Sequence, residues 1–167
     1  MALLFWDASA LAKRYSTEVG TPAVNALFAF NVPHDMATSL WGYIETYAIL
    51  CRRFNGGSIN YSTFSTALTA LQAEVMNNVS FDLTSIDDTF ILSSTSLIHK
   101  HALNSNDAVI LTSLLGYVRS PMAKTCVLIA SDKRLVRAAS AEGITTFNPE
   151  LSSTQAAVTF LASLPQT

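Results

Sequence analysis

The sequence has little charge, little cysteine and no long apolar run. Of its 167 residues, 13% are charged, whereas about 25% is usual for a globular domain. Half of the residues are hydrophobic, so we expect part of the apolar surface to be buried against a partner, most simply in a homodimer. The formal net charge of −2 excludes the strongly basic composition that is typical of nucleic-acid-binding domains.

The two cysteines and the longest apolar runs also limit the class of protein. Cys51 and Cys126 have neither a C-x-x-C spacing nor the density of a disulfide framework, so we interpret both as buried thiols in a reducing compartment. The first apolar run ends at Asp7 and is shorter than the about 7–15 residues of a signal-peptide core. No run reaches the roughly 20 residues of a membrane span. We therefore expect a cytoplasmic protein.

Short apolar runs alternate with helical patterns along the chain. Residues 2–6 and 126–130 are continuous apolar runs, typical of strands that are buried on both faces. Shorter strands are predicted at residues 35–38, 79–83 and 144–147. This alternation predicts an α/β fold with a doubly wound parallel sheet and helices on both faces.

Helix signals divide the rest of the chain. A first helix is predicted at residues 11–15, and Ser39 is the predicted N-cap of a helix that starts at residue 40. Ser85 or Thr84 is the predicted cap of a later helix. The whole pattern fits one domain over residues 1–150, with an extension at residues 151–167 that adds a short helix packed on the domain.

Two aspartates follow the clearest strands. Asp7 comes directly after the run 2–6, and Asp132 lies two residues after the run 126–130. Folds of this class build their ligand sites at the carboxyl ends of the strands, so both side chains are candidates for chemistry. Helix capping is the alternative, because Asp is a good N-cap and each position precedes a helix.

Two further acids lie on helices. The neighbours of Glu45 on its helical face are apolar: Trp41, Ile44, Ala48 and Ile49. A carboxylate in such a stripe needs a metal ion, a hydrogen-bond network or an ion pair, for which Arg52 and Arg53 are available. Asp107 begins a helix that is apolar almost all round, and stabilisation of the helix dipole is the alternative explanation there.

Four acids on separate elements suggest one shared site. Carboxylates brought together repel one another, and a hard divalent cation removes this repulsion because Mg²⁺ prefers oxygen ligands. Such a cation polarises a phosphodiester and activates water for in-line attack. The sequence favours a Mg²⁺ site, in which Mn²⁺ would substitute, built from Asp7, Glu45, Asp107 and Asp132.

The segments that carry these acids resemble the motifs of PIN domains. FWDASALAK at residues 5–13 is similar to the opening motif, a strand followed by D-x-S-A. Residues 38–53 are similar to the second acidic motif, and residues 103–107 with the following apolar helix to the third. ASDKRL at residues 130–135 is similar to the fourth. In some members of the family a further acid follows this last motif, whereas here the next residues are basic.

The resemblance covers about residues 2–149. It implies a five-stranded parallel sheet and a metal-dependent endoribonuclease, often the toxin of a VapC-type toxin–antitoxin pair. The family's acidic positions match Asp7, Glu45, Asp107 and Asp132, and its small polar neighbours of the site match Ser9 and Ser131. The resemblance also implies an antitoxin that enters the acidic cleft, where an arginine would pair with the carboxylates.

Basic and aromatic residues near these motifs are candidates for RNA contacts. The candidates for phosphate contacts are Lys13, Arg14, Lys133, Arg134 and Arg137. The candidates for base stacking are Tyr15, Trp41, Tyr43, Tyr47 and Phe54. Solvated helix faces explain the first group equally well, and core or dimer packing explains the second.

Two other functions fit the sequence. A phosphatase-type hydrolase would use Asp7 as a nucleophile, although such sites place a second Asp two residues later, where Ser9 stands. A non-catalytic interaction module would account for the low charge, because partners would cover most of its surface.

Overall fold

The computed structural model describes residues 2–29, 35–119 and 125–165. The strands in these ranges form one five-stranded sheet: β1 (Leu3–Trp6), β2 (Asp35–Ser39), β3 (Phe81–Thr84), β4 (Cys126–Ile129) and β5 (Thr145–Phe147). Their order is β3-β2-β1-β4-β5, and every neighbouring pair is parallel. This confirms the predicted parallel sheet and places the reversal of strand order between β1 and β4, where such folds bind ligands.

The helices of the same ranges lie between and after the strands. They are α1 (Ala8–Tyr15), α2 (Thr21–Ala29), α3 (Leu40–Asn55), α4 (Tyr61–Leu71), α5 (Asp88–His101), α6 (Ser105–Val118), α7 (Lys133–Ala141) and α8 (Thr154–Ser163). A π-helical turn, Gln72–Met76, extends α4, and a 3₁₀ turn, Pro149–Leu151, follows β5. Of the helices in the described ranges, none is long and apolar enough to cross a membrane.

Two buried layers cover the sheet, because successive side chains of a strand point to opposite faces. Leu4 and Trp6 of β1 belong to one layer, and Leu3 and Phe5 belong to the other. The first layer also contains side chains from helices α1, α2, α4 and α8: Leu11, Val24, Leu71 and Leu161. The second contains side chains from α6 and α7: Ile110, Leu114 and Leu135. Both faces are thus covered by helices.

Helices α1 and α7 start at aspartates that follow β1 and β4. Oδ2 of Asp7 accepts the Ser9 N–H at 2.9 Å, and Oδ1 of Asp132 accepts the N–H groups of Arg134 and Leu135 at 2.8 and 3.0 Å. The capping interpretation of both aspartates is therefore correct. It does not exclude chemistry, because the other oxygen of each carboxylate lies outside these bonds.

Three local predictions are wrong. The first helix starts at Ala8 instead of residue 11, since Asp7 caps it at once. Strand β3 starts two residues later than predicted, because Val79 lies exposed in a turn. The N-cap of α5 is Asp87, whose Oδ1 accepts the Phe90 N–H at 2.9 Å, so neither Ser85 nor Thr84 fills that role.

One cysteine also differs from the prediction. Cys126 is buried in β4, as expected, whereas Cys51 is only half-buried. Its position on α3 explains the difference, because this helix keeps part of its apolar face in solvent.

Candidate functional site

Ser9 joins the carboxyl ends of β1 and β4. Its hydroxyl donates to the Asp7 carboxylate and accepts the backbone N–H groups of Ser131 and Asp132, at 2.9 and 3.3 Å. These two strands are neighbours, with Trp6 paired to Ile129. One serine therefore fixes the two aspartates relative to each other.

Asp7 is the most enclosed of the four acids, with 4% of its surface exposed. Burial raises the pKa of its carboxyl above the ordinary value, the Ser9 hydrogen bonds lower it, and the nearby Asp132 raises it further. The carboxylate therefore lies in a poorly solvated position, where a negative charge is unfavourable unless a cation balances it.

Gly42 lets helix α3 approach this edge of the sheet closely. A Cβ atom on Gly42 would lie 2.5 Å from Oγ1 of Thr38 and 3.4 Å from Cδ1 of Ile110. The Thr38 hydroxyl is fully buried and donates to the Trp6 carbonyl oxygen at 2.7 Å. A side chain at position 42 would push α3 outwards, and Glu45, one turn later, would move with it.

Asn104 holds Asp107 at the start of α6. Its Oδ1 accepts the Asp107 N–H at 2.8 Å, and its Nδ2 donates to the Asp107 carboxylate at 2.9 Å. Burial and the charges of the other three acids raise the pKa of Asp107 to about 7. Asp107 thus lies in the first turn of α6, where an acid stabilises the helix dipole. The charges of the other three acids also act on it.

Glu45 contacts an asparagine instead of an arginine. The Asn106 side chain donates to Oε1 of Glu45 at 3.4 Å, whereas Arg53 pairs with Glu18 at 2.7 Å. Burial raises the pKa of Glu45, as do the charges of the neighbouring aspartates, while Asn106 and then Arg52 lower it. Of the partners that the sequence allows for the Glu45 carboxylate, a hydrogen bond is therefore the one that the structure shows.

The expected buried apolar stripe around Glu45 is wrong. Trp41 and Ile44 are exposed, and Ala48 and Ile49 are half-buried. The reason is that α3 buries its opposite face, through Tyr43, Thr46 and Leu50, against the domain. Glu45 thus lies at the boundary between the acid cluster and solvent.

The structure brings all four predicted acids into electrostatic contact. Asp132 raises the pKa of each of the other three, and Asp7 raises those of Glu45 and Asp107. Within residues 2–29, 35–119 and 125–165, however, no three acidic, histidine or cysteine side chains converge closely enough to hold a metal ion. Binding of one cation would therefore require these acidic side chains to move closer together.

The chemistry of these residues fits a hard cation. Every candidate donor is an oxygen, which is the ligand that Mg²⁺ and Mn²⁺ prefer. The hydroxyl of Ser131 is buried beside Asp132 and has no hydrogen-bond partner in the described part of the chain. Buried polar atoms are normally paired, so this hydroxyl is available to a ligand or to water at the site.

The five basic candidates differ in their surroundings. Lys13 is 3% exposed and pairs with Glu150 at 2.7 Å and Glu18 at 3.5 Å. Arg14 makes a two-pronged contact with Glu74, at 2.8 and 3.0 Å. Both cations are thus paired with carboxylates in the structure, and their contact with RNA stays a prediction. Three candidates are exposed on α7, next to Asp132: Lys133, Arg134 and Arg137.

We expect Lys13 to stabilise the folded state. The Lys13→Met variant keeps the aliphatic stem but removes the cation of Glu150, whereas Glu18 keeps its pair with Arg53. The variant should lower the free energy of unfolding by about 1–3 kcal/mol. Urea denaturation measures this difference. An unchanged free energy of unfolding, or a loss of RNA binding by a fully folded variant, would contradict the structural role.

Solved structures resemble this fold over most of its length. VapC20 of Mycobacterium tuberculosis, described as a toxin that cleaves the sarcin–ricin loop, has a TM-score of 0.62 at 16% identity, with 85% of this chain and 96% of that chain covered. This chain has a PIN-like fold. It confirms the five-stranded parallel fold that the resemblance of the four motifs implied.

Two further structures with this PIN-like fold come from toxin–antitoxin systems. A chain of a toxin–antitoxin complex from Klebsiella pneumoniae has a TM-score of 0.56 at 20% identity, with 87% of this chain and 97% of that chain covered. The VapBC-1 structure from nontypeable Haemophilus influenzae has a TM-score of 0.53 at 12% identity, with 88% of this chain and 98% of that chain covered. No protein-family model matches the sequence, and neither does any curated protein.

The sequence interpretation missed several residues that shape the site. Asn106 and the amide contact of Asn104 with Asp107 were not predicted, nor were the hydroxyl of Thr38 and the close approach at Gly42. One signal of these contacts was available in the sequence. Asn104 and Asn106 lie just before Asp107, where a helix starts. Gly42, inside a predicted helix, was a second signal of close packing.

Proposed function

We propose that this protein is a metal-dependent endoribonuclease that hydrolyses RNA phosphodiesters. The observation that carries this proposal is the mutual electrostatic contact of Asp7, Glu45, Asp107 and Asp132 at the carboxyl edge of a PIN-like sheet. The charge of Asp132 raises the pKa of each of the other three acids, an arrangement that is poor for a protein without a cation and suitable for binding Mg²⁺ or Mn²⁺.

Each acid has a role in this proposal. Asp7, Asp107 and Asp132 hold the cation, directly or through water, and Glu45 either holds it or orients the attacking water. The bound cation supplies charge neutralisation and a lowered pKa of water. Ser9 keeps Asp7 and Asp132 at a fixed separation through its three hydrogen bonds.

The exposed cations of α7 give the phosphate contacts. Lys133 and Arg134 occupy the first turn after Asp132, and Arg137 lies one turn later, where it also donates to the His101 carbonyl oxygen at 3.3 Å. They attract the RNA backbone to an edge that would otherwise repel it, and they position the strand without reading its sequence.

A cleavage assay on total RNA tests the proposed activity. The metal-free protein is incubated with RNA in EDTA, in Mg²⁺ and in Mn²⁺, and the fragments are separated by gel electrophoresis. We expect cleavage with either cation and none in EDTA. Equal cleavage in EDTA would contradict the proposal, and capture of a phospho-aspartate at Asp7 would favour the phosphatase-type alternative.

We also propose an antitoxin partner and a cytoplasmic toxin role. Two of the matched structures are toxin–antitoxin assemblies, and an acidic edge is suited to an inhibitor that inserts an arginine among the carboxylates. Such an arginine would replace the cation, so an antitoxin should block metal binding and RNA cleavage together.

A homodimer is the second partnership that we propose. The α5 surface exposes two adjacent apolar side chains, Ile91 and Leu92, the latter at 70%. The Leu92→Glu variant should shift the mass measured by light scattering from dimer to monomer, because a buried unpaired charge destabilises an apolar interface. A parent protein that is monomeric at every concentration would contradict this prediction.

A further inference from the structure

The aromatic residues that the sequence singles out form two groups in the structure. Tyr15 and Tyr43 are buried, and Phe54 stacks on a neighbouring phenylalanine with ring centroids 4.7 Å apart. Trp41 and Tyr47, both on α3, remain 45% and 41% exposed. Only an exposed ring offers a face on which a nucleobase can stack, so the candidates are reduced to these two.

Trp41 is linked to the acid cluster through two hydrogen bonds. Its indole N–H donates to Oδ1 of Asn106 at 3.3 Å, and Nδ2 of Asn106 donates to Glu45 at 3.4 Å. Because indole is a donor only, Asn106 must turn its carbonyl oxygen to Trp41 and its amino group to the carboxylate. The ring is thereby held beside Glu45. Tyr47 has no such link to the acids within the described residues.

We propose that Trp41 is the stacking platform for an unpaired nucleobase next to the scissile phosphate, and that Asn106 holds it in place. This inference rests on the proposed RNA cleavage at the four acids. The exposed cations of α7 attract phosphates to the carboxylate-lined edge, and an uncharged ring beside Glu45 adds a contact that holds a base before the chemistry. In a duplex each base face is covered by its neighbours, and the platform therefore selects single-stranded or looped RNA.

A second copy of the chain is a less suitable occupant of this surface. A symmetric contact centred on Trp41 would bring the two acid clusters to the same interface, since Asn106 contacts both the ring and Glu45. Like charges across an interface are unfavourable. RNA, in contrast, brings neutral bases to the ring and phosphates to Lys133 and Arg134.

Tryptophan fluorescence tests this contact without requiring cleavage. The sequence has two tryptophans, and Trp6 is fully buried, so Trp41 is the one that a base can quench by contact. An unpaired RNA of about 10 nucleotides is titrated into the protein in EDTA, beside a fully paired RNA hairpin. We expect quenching and binding with the unpaired RNA and at least about 5-fold weaker binding of the paired one.

Three variants separate stacking from anchoring. Trp41→Ala should weaken binding of the unpaired RNA by about 5- to 100-fold, the range of one lost stacking contact. Asn106→Ala keeps the ring but frees it, so it should give a smaller loss and less quenching. Tyr47→Ala removes the other exposed ring on α3 and is the matched control, which we expect to bind like the parent. Circular dichroism checks that each variant is folded.

The outcomes are distinguishable from failure of the nuclease proposal. Quenching that survives in Trp41→Phe, equal binding by Trp41→Ala and Tyr47→Ala, or a dimer that dissociates in Trp41→Ala with unchanged RNA affinity would each overturn the platform. Quenching and binding as expected, without cleavage in Mg²⁺ or Mn²⁺, would support the platform and contradict the nuclease. Cleavage with equal rates in Trp41→Ala and Tyr47→Ala would support the nuclease and contradict the platform.

Discussion

The Asp7→Asn variant is expected to lose metal-dependent RNA cleavage by at least about 100-fold while it keeps its fold. The amide has the size of the carboxyl and can still accept the Ser9 N–H, so the cap of α1 survives. It is neutral, however, and neutral ligands hold Mg²⁺ much less well than carboxylates. Gel-based cleavage assays give the rate, and circular dichroism gives the fold.

The same variant should be at least as stable as the parent without metal. Burial and Asp132 hold the pKa of Asp7 above its ordinary value, so the ionised carboxylate destabilises the folded state at neutral pH. Removing that charge should raise the Tm of the metal-free protein. Asp88→Asn is the control, because Asp88 is an exposed acid in the first turn of α5. Parental cleavage by Asp7→Asn would show that the site is assigned wrongly.

The stability of the metal-free protein should fall as the pH rises from about 4 to above 7. The pKa of Asp107 is about 7 in the folded state, whereas an unfolded Asp has a pKa near about 3.9. Between these values the folded state holds a proton that the unfolded state has released, so raising the pH favours unfolding. The destabilisation by Asp107 is therefore absent below the pKa of the unfolded state and complete above the pKa of the folded state.

Metal binding should have the opposite pH dependence. A cation competes with the proton on Asp107, so the affinity for Mn²⁺ should rise steeply up to about pH 7 and level off above it. Thermal denaturation at several pH values, with EDTA and with Mn²⁺, measures both trends. Asp107→Asn should remove most of the slope. A stability that rises with pH across this range, or a slope that is unchanged in Asp107→Asn, would contradict the coupling of these acids.

The sequence was most informative where one local signal decides the structure. The strands β1 and β4 are continuous apolar runs, and each is followed by an aspartate that caps the next helix. Ser39 likewise caps α3 as predicted, through the Gly42 N–H at 2.9 Å. Such signals need only a few neighbouring residues, which is why the parallel sheet and the positions of Asp7 and Asp132 could be predicted.

The sequence was least informative where a side chain finds a distant partner. Lys13 pairs with Glu150, 137 positions away, and Arg14 with Glu74, 60 positions away. Nothing near Lys13 or Arg14 in the sequence indicates these carboxylate partners, so the ion pairs could not be predicted. Asn106 was missed for the same reason, because Glu45 lies 61 positions before it.

Burial along α3 was the remaining difficulty. The spacing of apolar residues around Glu45 predicts a buried stripe, yet Trp41 and Ile44 face solvent. Helical periodicity identifies the residues of one face without showing which neighbour covers it. A face reserved for a substrate or another protein has the same pattern as a face of the core.

Isothermal titration of Mn²⁺ into the metal-free protein tests the central claim most directly, namely that the four acids act together on a divalent cation. The parent and Asp88→Asn are titrated at pH 7.5 beside Asp7→Asn and Asp132→Asn. We predict equal binding by the first two proteins and a large loss of affinity in the other two. A folded parent that binds no Mn²⁺, or an affinity that survives in both Asp7→Asn and Asp132→Asn, would contradict the account and favour a non-catalytic interaction module.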